Sequence, residues 1–396
     1  MATNIKTLCE SIGATMSQNG IVSVPRESFA AQAARIVSAG APLMFMFATD
    51  ERQAQRGFTV HAVFAAKDGL FIVAAQVPEN EPVYPSLVAT IMAAHWYERL
   101  IHDQFDITAV GHPDWRRLVH HENIPAGTHP LKKDFEWDAK LGHAHEPYPL
   151  HTVEGKGIYE IPVGPIHAGI IEPGHFRFNV RGERIISLEG KLFFKHKGVE
   201  KLLEGKTSAE AMPFVERISG DMAVGHASAF AEAVEKAVHV DIPPRARHLR
   251  VLWNELERIT AHIFDIGNMG GMGTGFTFMA AQSFRMVEEM RRLHEELAGH
   301  RFLRGAVFVG GAHDIQPQQS ERILAQLERI EREVHTMLDI AYANDGLMER
   351  FETTGVLSRD AAVAYGARGP AARSSDSGEG IRGTWGRRAR PGSAGA

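Results

Sequence analysis

The run Gly-Pro-Ile-His-Ala-Gly-Ile-Ile-Glu-Pro-Gly-His-Phe-Arg-Phe at residues 164–178 constrains this chain more than any other feature. Glycine and proline punctuate it as they do a turn. Phe176, Phe178 and Val180 then alternate in the way of a half-buried strand. A tight turn between two strands can present Glu172 and His175 on one side, facing a cavity. A carboxylate and an imidazole side by side suit proton handling, because burial raises a glutamic acid towards the histidine range. The same residues also read as a turn whose polar side chains simply face water.

Two kinds of sequence flank this run. Residues 1 to about 140 read as mixed α and β. Residues 43–47, 58–64 and 70–77 are short runs rich in Phe and Val that end near turn formers. Residues 87–101 read as a helix, with Leu87, Ile91, Ala94 and Glu98 stepping by three or four. Residues 147–157 are a polar link. Beyond them the chain is mainly helical. One stripe comprises Leu249, Leu252, Leu256, Ile259 and Ile263; a second comprises Met286, Met290, Leu293 and Leu297. A third runs through Ile323, Leu327, Ile330, Val334, Met337 and Ala341. Each predicts a helix that buries one face in a bundle. The glycine-rich stretch 267–275 lacks nucleotide-binding spacing and follows a helix rather than a strand, so it reads as a flexible loop between helices. There is no Ser-His-Asp signature and no zinc spacing.

The expected fold class is α+β: a mixed α/β domain over 1–146, a linker over 147–157, and a mainly α-helical domain over 158–366 with a small β-sheet at its start. A length of 396 residues fits two or three domains. Hydrophobic content of 44% and charged content of 23% are those of an ordinary soluble protein, and a net charge of -5 gives no nucleic-acid surface. No apolar stretch reaches the roughly 18 residues that span a bilayer, and no secretory signal is visible. The expectation is a cytoplasmic protein, peripheral on the inner face of the cell membrane. Cys9 is the single cysteine, so the chain forms no internal disulfide and no four-thiolate metal site. From 367 to 396 the only large apolar side chains are Ile381 and Trp385, which predicts a disordered or aberrant tail.

Three motifs, at 164–178, 195–204 and 211–217, resemble the large subunit of membrane-bound nickel–iron hydrogenases of the formate hydrogenlyase type. They equally resemble the homologous quinone-site subunit of respiratory complex I. Further motifs at 94–99, 111–117 and 129–135 resemble the small hydrophilic subunit of complex I, with 101–107 an altered version of its acidic, aromatic stretch. The similarity covers about residues 40 to 375 and is strongest over 158–265. It implies a fused subunit of a membrane-associated oxidoreductase complex. It is faint over 366–375 and gone after 376, which implies that the family's C-terminal part, with its second cysteine pair, is missing.

The resemblance implies roles for particular residues. The glutamate matching Glu172 relays protons in hydrogenases, and the histidine matching His175 lines the quinone-headgroup pocket in complex I. His196 and Lys197 stand where complex I relatives have His-Arg near an iron–sulfur cluster of a partner subunit; Lys197 keeps the charge and loses the guanidinium fork. A nickel enzyme needs Cys-x-x-Cys where this chain has Ser219, Gly220, Asp221 and Met222. Thiolates are soft, anionic ligands, and a hydroxyl with a thioether supplies neither charge. The expectation is therefore no nickel, no metal held by the chain's own cysteines, and NAD at most in another subunit. Ser208 occupies the place of a quinone-binding Tyr. His167, Ser208, Asp221 and His226 are the candidates for lining an acceptor or quinone cavity. The alternatives are a genuine nickel–iron hydrogenase large subunit, and a non-catalytic or truncated scaffold.

Overall fold

The structure, a computed structural model, describes residues 3–17, 20–166 and 172–376. It divides into two units, 1–196 with 357–396, and 197–356. In the first unit α1 (Ile5–Ile12) and α2 (Phe29–Ser38) accompany a four-stranded sheet of β1 (Ile21–Ser23), β2 (Leu43–Asp50), β3 (Phe58–Ala65) and β4 (Leu70–Val77). The strand order is β1-β4-β3-β2, with β1 parallel to β4 and the other pairs antiparallel. β3 is central and almost wholly buried, which is why its Val- and Phe-rich sequence barely alternates. Phe29, Phe64 and Phe71 are fully buried. Each contributes about 1.5–3 kcal/mol by leaving water.

β5 (Val83–Pro85) pairs with β6 (Thr108–Val110) on either side of α3 (His95–Phe105). The helix predicted over 87–101 thus begins eight residues late. Leu87, Ile91 and Ala94 are buried as the pattern required. They sit on consecutive tight turns closed by Ile91 N–H to Leu87 O and Ala94 N–H to Ile91 O, at 2.8 and 2.9 Å, with Ile91 itself extended. Buried Glu98 accepts from the Leu87 N–H at 2.8 Å and from the Ser86 hydroxyl at 2.6 Å, and so pins the turns in place. A spacing of three or four records burial, and turns can reproduce it.

β7 (Ile158–Val163), β8 (His175–Arg181) and β9 (Arg184–Lys191) form the small antiparallel sheet. A two-residue loop joins β8 to β9, and Gly182 adopts φ 60° there, a conformation that favours glycine.

In the second unit α4 (Val199–Leu203), α5 (Ser208–Val215) and α6 (Ala223–Ala237) precede the long helices α7 (Pro244–Gly267) and α8 (Thr277–Ala298). The short hairpin β10 (Val307–Phe308) and β11 (Gly311–Ala312) leads to α9 (Pro317–Tyr342) and α10 (Asp345–Phe351). Trp253, Leu256, Met286, Met290, Ile323 and Ile330 form the core, so all three predicted stripes face inward. Arg250 and Glu235 are paired within this unit, both buried.

The glycine-rich stretch is a correction. Residues Asn268–Met272 wind a π-helical turn that continues α7 instead of forming a loop. The glycines are there for proximity. A Cβ on Gly271 would lie 2.4 Å from the Ala280 backbone N and 2.6 Å from its Cβ, and one on Gly267 would lie 2.3 Å from Ser283 Cβ. Close approach of α8 therefore requires these positions to lack side chains. Gly271→Ala should destabilise the protein by about 1–3 kcal/mol through overpacking. Urea unfolding measures this, and an unchanged midpoint would contradict the packing described.

The last described elements, α11 (Arg359–Ala364) and α12 (Gly369–Ser374), belong to the first unit. Composition assigned everything from 367 to a tail, yet residues 367–376 are structured. Ala372 is fully buried, and Arg368 donates to the Leu43 carbonyl at 2.9 Å. One small apolar residue and one backbone-directed guanidinium fix a short helix that apolar content did not foretell.

Candidate functional site

The candidate residues fall in both units. In the first, Glu172 is exposed just ahead of β8, and His175 is the first residue of that strand. The His175 ring is half-buried, with Nδ1 3.0 Å from the Gly164 carbonyl oxygen and Nε2 3.4 Å from Arg177 Nη2. Arg177 in turn donates to Glu160 at 2.6 Å. The backbone contact orients the imidazole, and an ion pair stands behind it. His167 lies outside the described residues. His196 is exposed, its backbone N–H closing a turn on the Phe193 carbonyl at 3.1 Å. Burial of nearby Lys191, which pairs with Glu122, pushes its ammonium down to about 8.

In the second unit the segment that holds Ser219 and Met222 has a defined support. Lys197 Nζ donates to the Arg217 and Ile218 carbonyls at 2.7 and 3.0 Å. Ser219 follows at once, its hydroxyl donating to Asp221 Oδ1 at 3.1 Å. Met222 is the residue before α6, and His226 lies one turn into that helix. Burial, aided by the Lys197 charge, holds the His226 imidazole below its ordinary range and so favours the neutral ring. Lys197, Ser219, Asp221, Met222 and His226 are thus brought together. Ser208 opens α5, behind a capping box of Thr207 and Glu210. The hydroxyl and carboxylate of that box serve the helix end.

Sequence reasoning missed the charged interior behind this segment. Glu257 of α7 is 5% exposed and accepts from the Val224 and Gly225 N–H groups at 2.7 and 2.9 Å. Burial pushes its carboxyl up to about 7, against the pull of those two hydrogen bonds. Asp221, Glu257, Thr260, Arg291, His294 and Arg301 line one small cavity of about 20 Å³, room for a single ordered water. His294 is 2% exposed, and burial pushes it down to about 4. The signal was available: Glu257 follows Leu256 and sits four residues after Trp253, on the buried side of a stripe, where an ionisable residue is rare.

Comparison with known proteins adds the lineage. The family model of the respiratory-chain NADH dehydrogenase 30 Kd subunit matches residues 22–141. That of nickel-dependent hydrogenase matches 197–268, and that of the respiratory-chain NADH dehydrogenase 49 Kd subunit matches 271–384. The chain is a fused member of the complex I and hydrogenase family. Formate hydrogenlyase subunit 5 of Escherichia coli is 30% identical over 350 residues, 85% of this chain and 60% of that protein. The C/D-type NADH-quinone oxidoreductase protein of Bdellovibrio bacteriovorus is 27% identical over 325 residues, 79% of this chain and 57% of that protein. The chain therefore spans about 60% of the length of such relatives. A solved structure of an archaeal membrane-bound sulfane sulfur reductase, a respiratory membrane complex, shares the fold, with TM-score 0.52 and 24% identity over 57% of this chain and 60% of that one.

Within this family the donor set at Ser219 and Met222 does not fit nickel. Ser219 offers a hydroxyl and Met222 a thioether, neither of them an anionic thiolate, and Cys9 is the chain's single cysteine. Among the described residues no three His, Cys, Asp or Glu side chains gather as a metal site. Among them, too, no helix is long and apolar enough to cross a membrane.

Proposed function

We propose that this chain is an electron- and proton-handling subunit of a membrane-associated oxidoreductase complex, working without nickel. The observation that carries the reading is the segment 217–226, braced where Lys197 donates to the Arg217 and Ile218 carbonyls. Ser219 and Met222, in this reading, stand at its two thiolate positions. In this reading electrons arrive from an iron–sulfur cluster of a partner subunit near His196 and Lys197, where positive charge favours the reduced cluster. Glu172 and His175 take part in proton movement or in binding an acceptor such as a quinone; His167, Ser208, Asp221 and His226 are the candidates for lining an acceptor or quinone cavity. NAD, if used, is bound by another subunit. The domain bounds 1–146, 147–157 and 158–366 belong to the same proposal, as does a position on the inner face of the cell membrane beside membrane-embedded subunits.

The small sheet supports an assembled state. Tyr159, Ile161, Ile185 and Leu188 are 40–55% exposed on β7 and β9, more clustered apolar surface than a chain working alone usually shows. Affinity isolation from gently solubilised membranes tests the proposal. An iron–sulfur subunit and membrane-embedded subunits should be recovered in fixed ratio with the chain. Recovery of the chain alone, from membranes that contain it, would contradict the reading.

A further inference from the structure

We propose that Glu257 is an internal proton-exchange site of the helical unit, open to solvent through the space it shares with Asp221. The inference stands apart from the identity of any electron donor or acceptor. Glu257 lies mid-helix on the face of α7 that also carries Trp253, Leu256 and Thr260, all buried. Taking a carboxylate out of water is expensive unless it is paired. Its two oxygens are each held by a backbone N–H of the first turn of α6, from Val224 and Gly225. Those donors and the positive end of the α6 dipole favour the anion, whereas burial favours the acid. The two effects oppose each other, so the protonation state of Glu257 is finely balanced. Burial shifts the carboxyl up to about 7.

The groups facing the same space are Asp221 ahead of α6, Arg291 and His294 of α8, and Arg301 beyond it. Asp265 lies two turns further along α7, its carboxyl raised by its own burial. His294 has Nε2 3.4 Å from Thr260 Oγ1, and its low range keeps it neutral near pH 7. Of the buried pair, Glu257 is therefore the one that changes charge at neutral pH. The step itself is simple. The Glu257 O–H bond breaks, the proton passes to the Asp221 carboxylate or to water in the cavity, and a carboxylate remains. The return reverses it, and no electron moves. The charge so created sits at the start of α6, immediately after Ser219 and Met222, so the proton state of Glu257 sets the potential beside the vacated thiolate positions.

Infrared titration of the full chain in deuterated buffer tests this. Burial raises a second carboxyl, Glu98, to about 7 as well, so the spectra are read as the difference between the parent and Glu257→Gln, whose amide oxygen still accepts a backbone N–H. That difference should hold a protonated-carboxyl band that disappears with a midpoint near pH 7. Asp221→Asn, at an exposed position, removes a neighbouring like charge and should move the midpoint down; it carries the test alone if Glu257→Gln fails to fold. A parent-minus-variant difference without such a band, or with a midpoint in the ordinary glutamate range, would overturn the proposal. So would an unmoved midpoint in Asp221→Asn.

Discussion

Replacing Arg250 with alanine should cost the protein about 3–5 kcal/mol, because it leaves Glu235 charged and buried without its partner. Arg250 is 4% exposed and Glu235 5%. The pair is bidentate, with Nη1 to Oε2 at 2.9 Å and Nη2 to Oε1 at 2.6 Å. The same guanidinium donates to the Phe308 carbonyl at 2.8 Å and the Gly311 carbonyl at 3.0 Å, and Glu235 accepts the Gly310 N–H at 2.7 Å. One pair therefore ties α6 and α7 to the β10–β11 hairpin. For a unit of this size the loss corresponds to a fall of roughly 10 °C in melting temperature. Arg250→Leu combined with Glu235→Leu should recover much of it, since an apolar pair removes the orphaned charge. The Arg250 guanidinium holds Glu235 below its ordinary range, so this stabilisation is present at and above that range and is lost as pH falls through the lowered value. Thermal unfolding of the single and double variants at neutral pH checks this. A single variant within about 1 kcal/mol of the parent would contradict the account.

Glu172→Gln should depress turnover of the assembled complex by about 100- to 10,000-fold, the usual contribution of a positioned acid or base. Glutamine is nearly isosteric and cannot accept or release the proton. Glu172 is exposed and precedes β8, so folding and assembly should be unchanged. Partner recovery and thermal unfolding of the variant establish that the loss is chemical. Unchanged turnover would remove Glu172 from the mechanism.

Much of the fold was legible because burial writes itself into spacing. The strands at 58–64 and 70–77 and the three long helices were read from apolar residues alone, since those residues form the cores. The late start of α3 was illegible for the same reason. Leu87, Ile91 and Ala94 are buried as helical residues would be, and the non-helical backbone at Ile91, with the hydrogen bonds from Ser86 and Leu87 to Glu98, separates turns from helix. The π-turn at Asn268–Met272 was missed because glycine has two meanings. Loop freedom and close packing look identical until Ala280 and Ser283 are seen against it. The candidate site divides in the same way. The shortage of thiolates could be read directly, because a single cysteine, Cys9, is a fact of sequence. The Lys197 contacts and the Glu257 cavity could not, because the first reach across 20 positions and the second gathers residues from Asp221 to Leu303.

Elemental analysis of the chain isolated with its co-purifying partners tests the central claim most directly. The account predicts iron, held by a partner's clusters, and no nickel. Stoichiometric nickel in the isolated complex would contradict it and restore hydrogenase chemistry to the segment that holds Ser219 and Met222.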